Sequence, residues 1–167
     1  CLVGSEMCIR DSIRGPRGEL VEIEMFAHGA LCMSISGKCY LSLYETGCSA
    51  NRGACRQLCR RKYTVRDKET GAELDIDGRY VLSPKDLCTI DFLDRMIGAG
   101  VRVLKIEGRA KSAYYAAIVT GAYRHAIDAA WSGVPLDPVW RDEVEHISHR
   151  HYSTGFFYGH PGQFTED

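Results

Sequence analysis

The clearest pattern in the chain lies at Glu19–Phe26, where Val21, Ile23 and Met25 face one way and Glu22 and Glu24 the other. A period of two predicts a half-buried strand ending near Phe26, with His28-Gly29-Ala30 opening a long connection. Residues 28–62 show no sustained periodicity. Further on, Tyr63 and Val65, Leu74 and Ile76, and Tyr80 and Leu82 alternate about turn signals at Glu69–Gly71 and Asp77-Gly78. This predicts a hairpin or a small three-stranded excursion. Ser83-Pro84 opens an element in which Ile90, Leu93, Met96 and Ile97 recur at helical spacing until Gly98-Ala99-Gly100 stops it. VRVLKIEG reads as a second strand through Val101, Val103 and Ile106. Ser112 then caps a long helix with apolar positions Tyr115, Ile118, Val119, Ala122, Ala126, Ile127 and Trp131, which Gly133 ends.

Helix, glycine turn, strand, loop, helix is the grammar of a parallel α/β protein. Two such strands close neither a barrel nor a doubly wound sheet. The chain therefore reads as the C-terminal part of a larger α/β domain, with a cysteine-rich loop and a small β excursion. From residue 136 an aromatic, turn-rich tail follows, containing HISHRHYSTGFFYGHPGQ. At the other end, CLVGSEMCIRDS resembles a translated sequencing adapter, so residues 1–12 are set aside as a non-native leader and the domain is placed at 13–135.

Composition narrows the function classes. With 167 residues, 45% apolar and 26% charged, the chain has enough apolar content for one domain with a core and is neither disordered nor fibrous. Its 21 basic and 22 acidic side chains exclude a globally basic nucleic-acid binder but not a local patch. Arg52 to Lys68 supplies one, with five Arg and two Lys against the single acid Asp67. This run is read equally as a solvated face and as a phosphate track for RNA. No apolar run reaches the roughly 20 residues that span a bilayer. No signal-peptide pattern opens the chain, so the expected location is the cytoplasm and no membrane partner is expected.

Eight cysteines are about twice ordinary usage, which leaves two readings, a disulfide framework or a metal site in a reducing compartment. Cys32 and Cys39 are spaced C-x6-C, Cys39 and Cys55 C-x15-C, Cys55 and Cys59 C-x3-C, and Cys88 follows in SPKDLC. None is a C-x2-C zinc pair, whereas iron–sulfur clusters take four thiolates from separated loops. Gly29, Gly37 and Gly53 lie just before cysteines, and Arg52, Arg56, Arg60, Arg61 and Lys62 supply the positive surroundings that keep thiolates charged. Single cysteines are as often buried small hydrophobes. Cys48 is read as such a bystander.

EMFAHGALCMSISGKCYLS, NRGACRQLCR, SPKDLC and LKIEGRAKSAYY resemble the collagenase-like peptidase family U32, from about Ile13 to Gly159. The resemblance implies a TIM-type (β/α) barrel, of which this chain holds the last part. It points to oxygen-independent hydroxylation more than to proteolysis, and most closely to the members that form 5-hydroxyuridine at the tRNA wobble position. Other members act on rRNA cytidine or on a quinone precursor, the latter as a pair, so a paralogous U32 partner is also implied. Several members are thought to hold a [4Fe–4S] cluster and to use prephenate as hydroxyl donor. Carried onto this sequence, the cluster ligands are Cys32, Cys39, Cys55 and Cys88, with Cys59 as the alternate to Cys55.

Lys105, Glu107 and Arg109 sit at the C-terminal end of the second strand, the end that builds barrel active sites. They are read as a cradle for a dianionic donor, against the alternative of a local ion pair centred on Glu107. His28 and Glu24 are placed together at one end of the first strand, with His28 an acid, a base or a partner of the cluster, or else a structural hydrogen-bonder. His146, His149 and His151 are read as surface or RNA-facing groups. The competing functions are a peptidase and a non-catalytic cluster-binding subunit. Against the peptidase stand the missing Ser–His–Asp arrangement with its glycine elbow, the missing H-E-x-x-H, and thiolates that a cluster would occupy.

Overall fold

A computed structural model describes residues 12–35, 38–74 and 80–159. The expected leader up to residue 11, Gly37, Ile76 and the Asp77-Gly78 turn lie outside them. The chain forms two compact units, one from Cys1–Gly29 and Cys88–Ser148, the other from Ala30–Leu87 and His149–Asp167. In chain order the elements are β1 (Ile23–Ala30), α1 (Leu41–Thr46), β2 (Val65–Arg66), β3 (Glu73–Leu74), β4 (Asp86–Cys88) and α2 (Leu93–Gly98), then β5 (Val101–Glu107), α3 (Ala113–Ser132), α4 (Pro138–His146) and β6 (Tyr152–Ser153). The class is mixed α/β.

In the first unit β1 and β5 pair directly and in parallel, from Ile23 opposite Val101 to Gly29 opposite Glu107. The alternation holds at first, with Glu22 and Glu24 exposed, but β1 runs on to Ala30. His28-Gly29-Ala30 is therefore the end of the strand and not the start of a loop. Ala27, His28 and Gly29 are all buried, as in strands covered on both faces, where alternation disappears. Gly29 has φ +111°, and a Cβ there would stand 2.5 Å from the Glu107 carbonyl oxygen, so only glycine lets the two strand ends meet.

α3 begins and ends where its caps predict. Ser112 accepts from the Tyr115 N–H, and left-handed Gly133 closes the last turn. Its buried stripe is Tyr115, Val119, Ala122, Tyr123 and Ala126, while Trp131 is 68% exposed and outside the core. A further helix, α4, starts in what reads as tail: Asp137 caps it by accepting from the Val139 N–H, and Pro138 takes the first position. It packs on α3 through fully buried Val144 and a His125–Trp140 stack with centroids 3.9 Å apart.

One hydroxyl ties this unit together. Tyr123 Oη donates to the Ala27 carbonyl at 2.9 Å and accepts from the Thr89 N–H at 3.0 Å, with His28 Nδ1 3.3 Å away. Burial holds the phenol far above its ordinary pKa, so it stays a neutral donor.

In the second unit, α1 and two short 3-10 turns at Ala50–Arg52 and Leu58–Arg60 replace the featureless connection that periodicity predicts. Buried Ser42 accepts from the Arg56 N–H at 3.0 Å and fastens α1 to the loop. β2 and β3 form the expected antiparallel hairpin, its turn held by Asp67 Oδ1 accepting from the Glu69 and Thr70 N–H groups. SPKDLC does not open a helix. Asp86 and Leu87 of β4 pair in parallel with Tyr152 and Ser153 of β6, and helical structure starts only after Thr89. Fully buried Asp86 takes Arg150 Nε at 2.9 Å, while Arg150 Nη1 donates to Ser83 Oγ at 2.8 Å. A buried charge of this kind is stable only while paired.

Tyr123→Phe leaves the Ala27 carbonyl and Thr89 N–H buried without that partner, and should lower stability by about 1–3 kcal/mol. Urea unfolding should show a lower midpoint at unchanged slope. A wild-type midpoint would show that the phenol ring, and not its hydroxyl, carries the contact.

Candidate functional site

The six described cysteines are all free, which removes the disulfide framework among them. Cys32, Cys39, Cys55 and Cys59 belong to the second unit and Cys88 to the first. Cys32 and Cys55 are exposed, and Cys39 and Cys59 half-buried. α1 begins just after Cys39 and left-handed Gly47 ends it just before Cys48. Burial pushes the Cys59 thiol up, the charges of Cys55, Cys32 and Cys39 add to that rise, and Arg60 opposes it. The fold thus brings the sulfurs of Cys32, Cys39 and Cys55 within electrostatic reach of Cys59.

Between Cys55 and Cys59, Gln57 sits at φ +53°, the one left-handed residue other than glycine among those described. Its backbone N–H thereby donates to Cys55 Sγ at 3.4 Å. An unfavourable backbone held in place at a sulfur suggests a functional constraint, and an N–H aimed at a sulfur is how a protein stabilises thiolate charge. The next turn is pinned by Leu58, buried, whose carbonyl accepts from Tyr63 Oη at 2.6 Å.

Thiol donors of this number, with N–H and guanidinium groups beside them, suit a thiolate-held cluster. Among the described residues, however, no three His, Cys, Asp or Glu side chains are placed to hold a metal ion. Cys88 is buried in the first unit, and burial pushes its thiol up against the pull of Arg141 and Tyr123. Arg141 Nη1 stands 3.6 Å from Cys88 Sγ and is itself held by Asp91 and Glu145, each at 3.0 Å. Cys48 differs from these. Hydrogen bonds from Arg56, at 3.4 Å, and from Thr46 hold its thiol below the ordinary range.

The charged candidates lie on and after β5. Lys105 and Arg109 are exposed, Glu107 and Gly108 half-buried. Glu107 Oε1 accepts from the Arg109 backbone N–H at 2.9 Å, so the carboxylate shapes the loop and leaves the guanidinium available. The ion pair weighed from sequence does not form. His28 is fully buried between Tyr115 and Tyr123, whereas Glu24 is exposed near the start of β1, so the two do not share an end of the strand. His149 stacks on Tyr152 at 3.9 Å. Sequence reasoning missed Tyr123 and Arg141. Tyr115, Val119 and Tyr123 repeat every four residues, a stripe that would have exposed the first.

Residues 9–167 match the profile of Peptidase family U32. The chain belongs to that family. Among curated U32 relatives, a protein named collagenase from Porphyromonas gingivalis is 52% identical over 92% of this chain and 38% of its own length. The tRNA hydroxylation protein P1 of Bacillus subtilis is 38% identical over 85% of this chain and 35% of its own. A 23S rRNA 5-hydroxycytidine synthase of Escherichia coli is 47% identical over 64% and 16%. The chain thus spans about two fifths of the first of these relatives. No solved structure matches it. Among the described residues no helix is long and apolar enough to cross a membrane.

In metal-free protein, iodoacetamide near neutral pH should label Cys48 before Cys59 and Cys88. The thiolate is the attacking form, and the lowered pKa of Cys48 populates it while burial suppresses it in the other two. Peptide mass mapping over time reads the order. Cys88 labelled ahead of Cys48 would refute these assignments.

Proposed function

We propose that the intact protein is an iron–sulfur enzyme that hydroxylates an RNA base without oxygen, at the tRNA wobble uridine. The observation that carries this reading is the gathering of free cysteines around a strained, sulfur-directed turn. Its support is similarity to relatives named for tRNA hydroxylation and rRNA hydroxycytidine synthesis. In this reading the chain is the closing part of a TIM-type barrel. Cys32, Cys39, Cys55 and Cys88 hold a [4Fe–4S] cluster, with Cys59 as the alternate to Cys55. Such a cluster would supply one-electron transfer when bound.

The chain's own residues do the rest. Converting C–H to C–OH withdraws two electrons from the base, and a prephenate-like donor takes them up as it surrenders its hydroxyl oxygen. Lys105 supplies a point charge for one donor carboxylate, and Arg109 a planar fork for the other. Glu107 fixes the Arg109 backbone that aims the fork. His28 acts at most through the Tyr123 hydroxyl beside it, as a positioning residue.

The collagenase name of a 52% identical relative gives the second reading, a peptidase. The site favours it less, because the candidate histidine His28 presents Nδ1 to a phenol and lies wholly in the core.

Two measurements decide between them. Deleting the gene, in cells without a paralogue, should remove hydroxylated uridine from tRNA digests read by mass spectrometry, and the intact gene should restore it. Persistence of the nucleoside would end the RNA reading. Single Ser replacements of Cys32, Cys39, Cys55 and Cys88 should abolish both iron content and complementation, while Cys48→Ser keeps both. Loss in Cys59→Ser with retention in Cys55→Ser would exchange that pair. Arg109→Lys keeps charge but loses the fork, and should weaken donor binding roughly ten- to a hundredfold at unchanged iron content.

A further inference from the structure

The second unit carries one surface that the cluster and donor residues do not use. α1 and the residue that caps it expose two planar rings, Tyr44 at 90% and Tyr40 at 60%, whose side chains touch no other ring among the described residues. They stand one turn apart, Tyr44 N–H donating to the carbonyl of Tyr40, the residue that caps α1.

The charge beside the rings points the same way. α1 packs against both 3-10 turns, and the Ser42–Arg56 bond locks that contact. Those turns and the residues flanking them carry Arg52, Arg56, Arg60 and Arg61. Among the described residues no carboxylate pairs with any of the four. The one acid in the basic run, Asp67, has an oxygen committed to its own turn. A protein partner would account for the apolar rings and an acidic surface for the arginines. Planar rings and guanidinium groups that no carboxylate pairs among the described residues together match a flexible polyanion whose bases stack.

We propose that this face binds an unpaired stretch of RNA, a base stacking on Tyr40 and Tyr44 while Arg52, Arg60 and Arg61 take flanking phosphates. The proposal rests on the RNA reading above and extends it, since Tyr40 follows Cys39 and Arg56 follows Cys55 directly. A base must leave its helix to be modified, and a stacking platform beside the cysteine loop would hold the strand open there.

Fluorescence anisotropy of the intact protein with labelled single-stranded oligouridine, and with an RNA duplex of equal length, tests it. Single-stranded RNA should bind more tightly than duplex. Tyr44→Ala should weaken binding roughly tenfold without changing its salt dependence, and Tyr44→Phe should restore it. Arg52→Ala, Arg60→Ala and Arg61→Ala should each lower the slope of log K against log salt by about 0.7. Tyr44 is exposed, and the circular dichroism of its variants should match wild type. Wild-type affinity in both Tyr40→Ala and Tyr44→Ala, or equal binding of duplex, would overturn the proposal, as would no binding by wild type. Loss of a co-purifying protein with unchanged RNA affinity would likewise overturn it and make the face a protein interface. The RNA reading fails separately, when the deletion strain keeps its hydroxylated uridine.

Discussion

The phenol of Tyr123 is the point on which the first unit depends. A backbone carbonyl of β1 and the N–H of Thr89, both out of reach of water, find their partner in one side chain of α3. Unpaired buried peptide groups are costly, so the helix cannot slide or rotate on the strands without forfeiting both bonds. Two features depend on that fixed register. Cys88 precedes Thr89, and its sulfur also contacts the Tyr123 hydroxyl. The strand ends carrying Gly29 and Glu107 meet in a register that leads directly into the Arg109 loop.

The second unit solves a different problem, how to keep several sulfurs near one another on a surface with little core. It does so with local backbone devices. A short helix, a buried serine, two tight turns and one unfavourable residue at Gln57 set where the chain passes. Burial raises the Cys59 thiol most, and the neighbouring sulfurs add a smaller repulsion to that rise. The neighbouring arginines lower the cost. The same arginines, which no carboxylate pairs among the described residues, give the loop a positive face.

The legible parts of the fold were those whose signals are local. The Ser112 and Gly133 caps of α3, the Asp67 turn and the first half of β1 follow from nearest-neighbour chemistry. The second half of β1 did not, because burial on both faces erases alternation. Ser83 and Asp86 looked like the start of a helix, but their roles are set by Arg150, more than sixty residues on. α4 was hidden for a simpler reason: nine residues with five acids and bases among them show little periodicity, and only Asp137-Pro138 marks the start. For the site, spacing and resemblance selected the cysteines and the basic run. Neither could find Arg141, whose relation to Cys88 spans 53 residues and is created by folding alone.

Gly29 gives the HGA portion of the cysteine motif a second meaning. Its invisible side chain is a clearance: a single carbon there would drive into the opposite strand's carbonyl oxygen. A saturation library at this position would therefore collapse to the parent residue even in a protein asked only to fold. Signature strings around cysteines are commonly taken as a record of chemistry. This one is partly a record of how closely two backbones must pass.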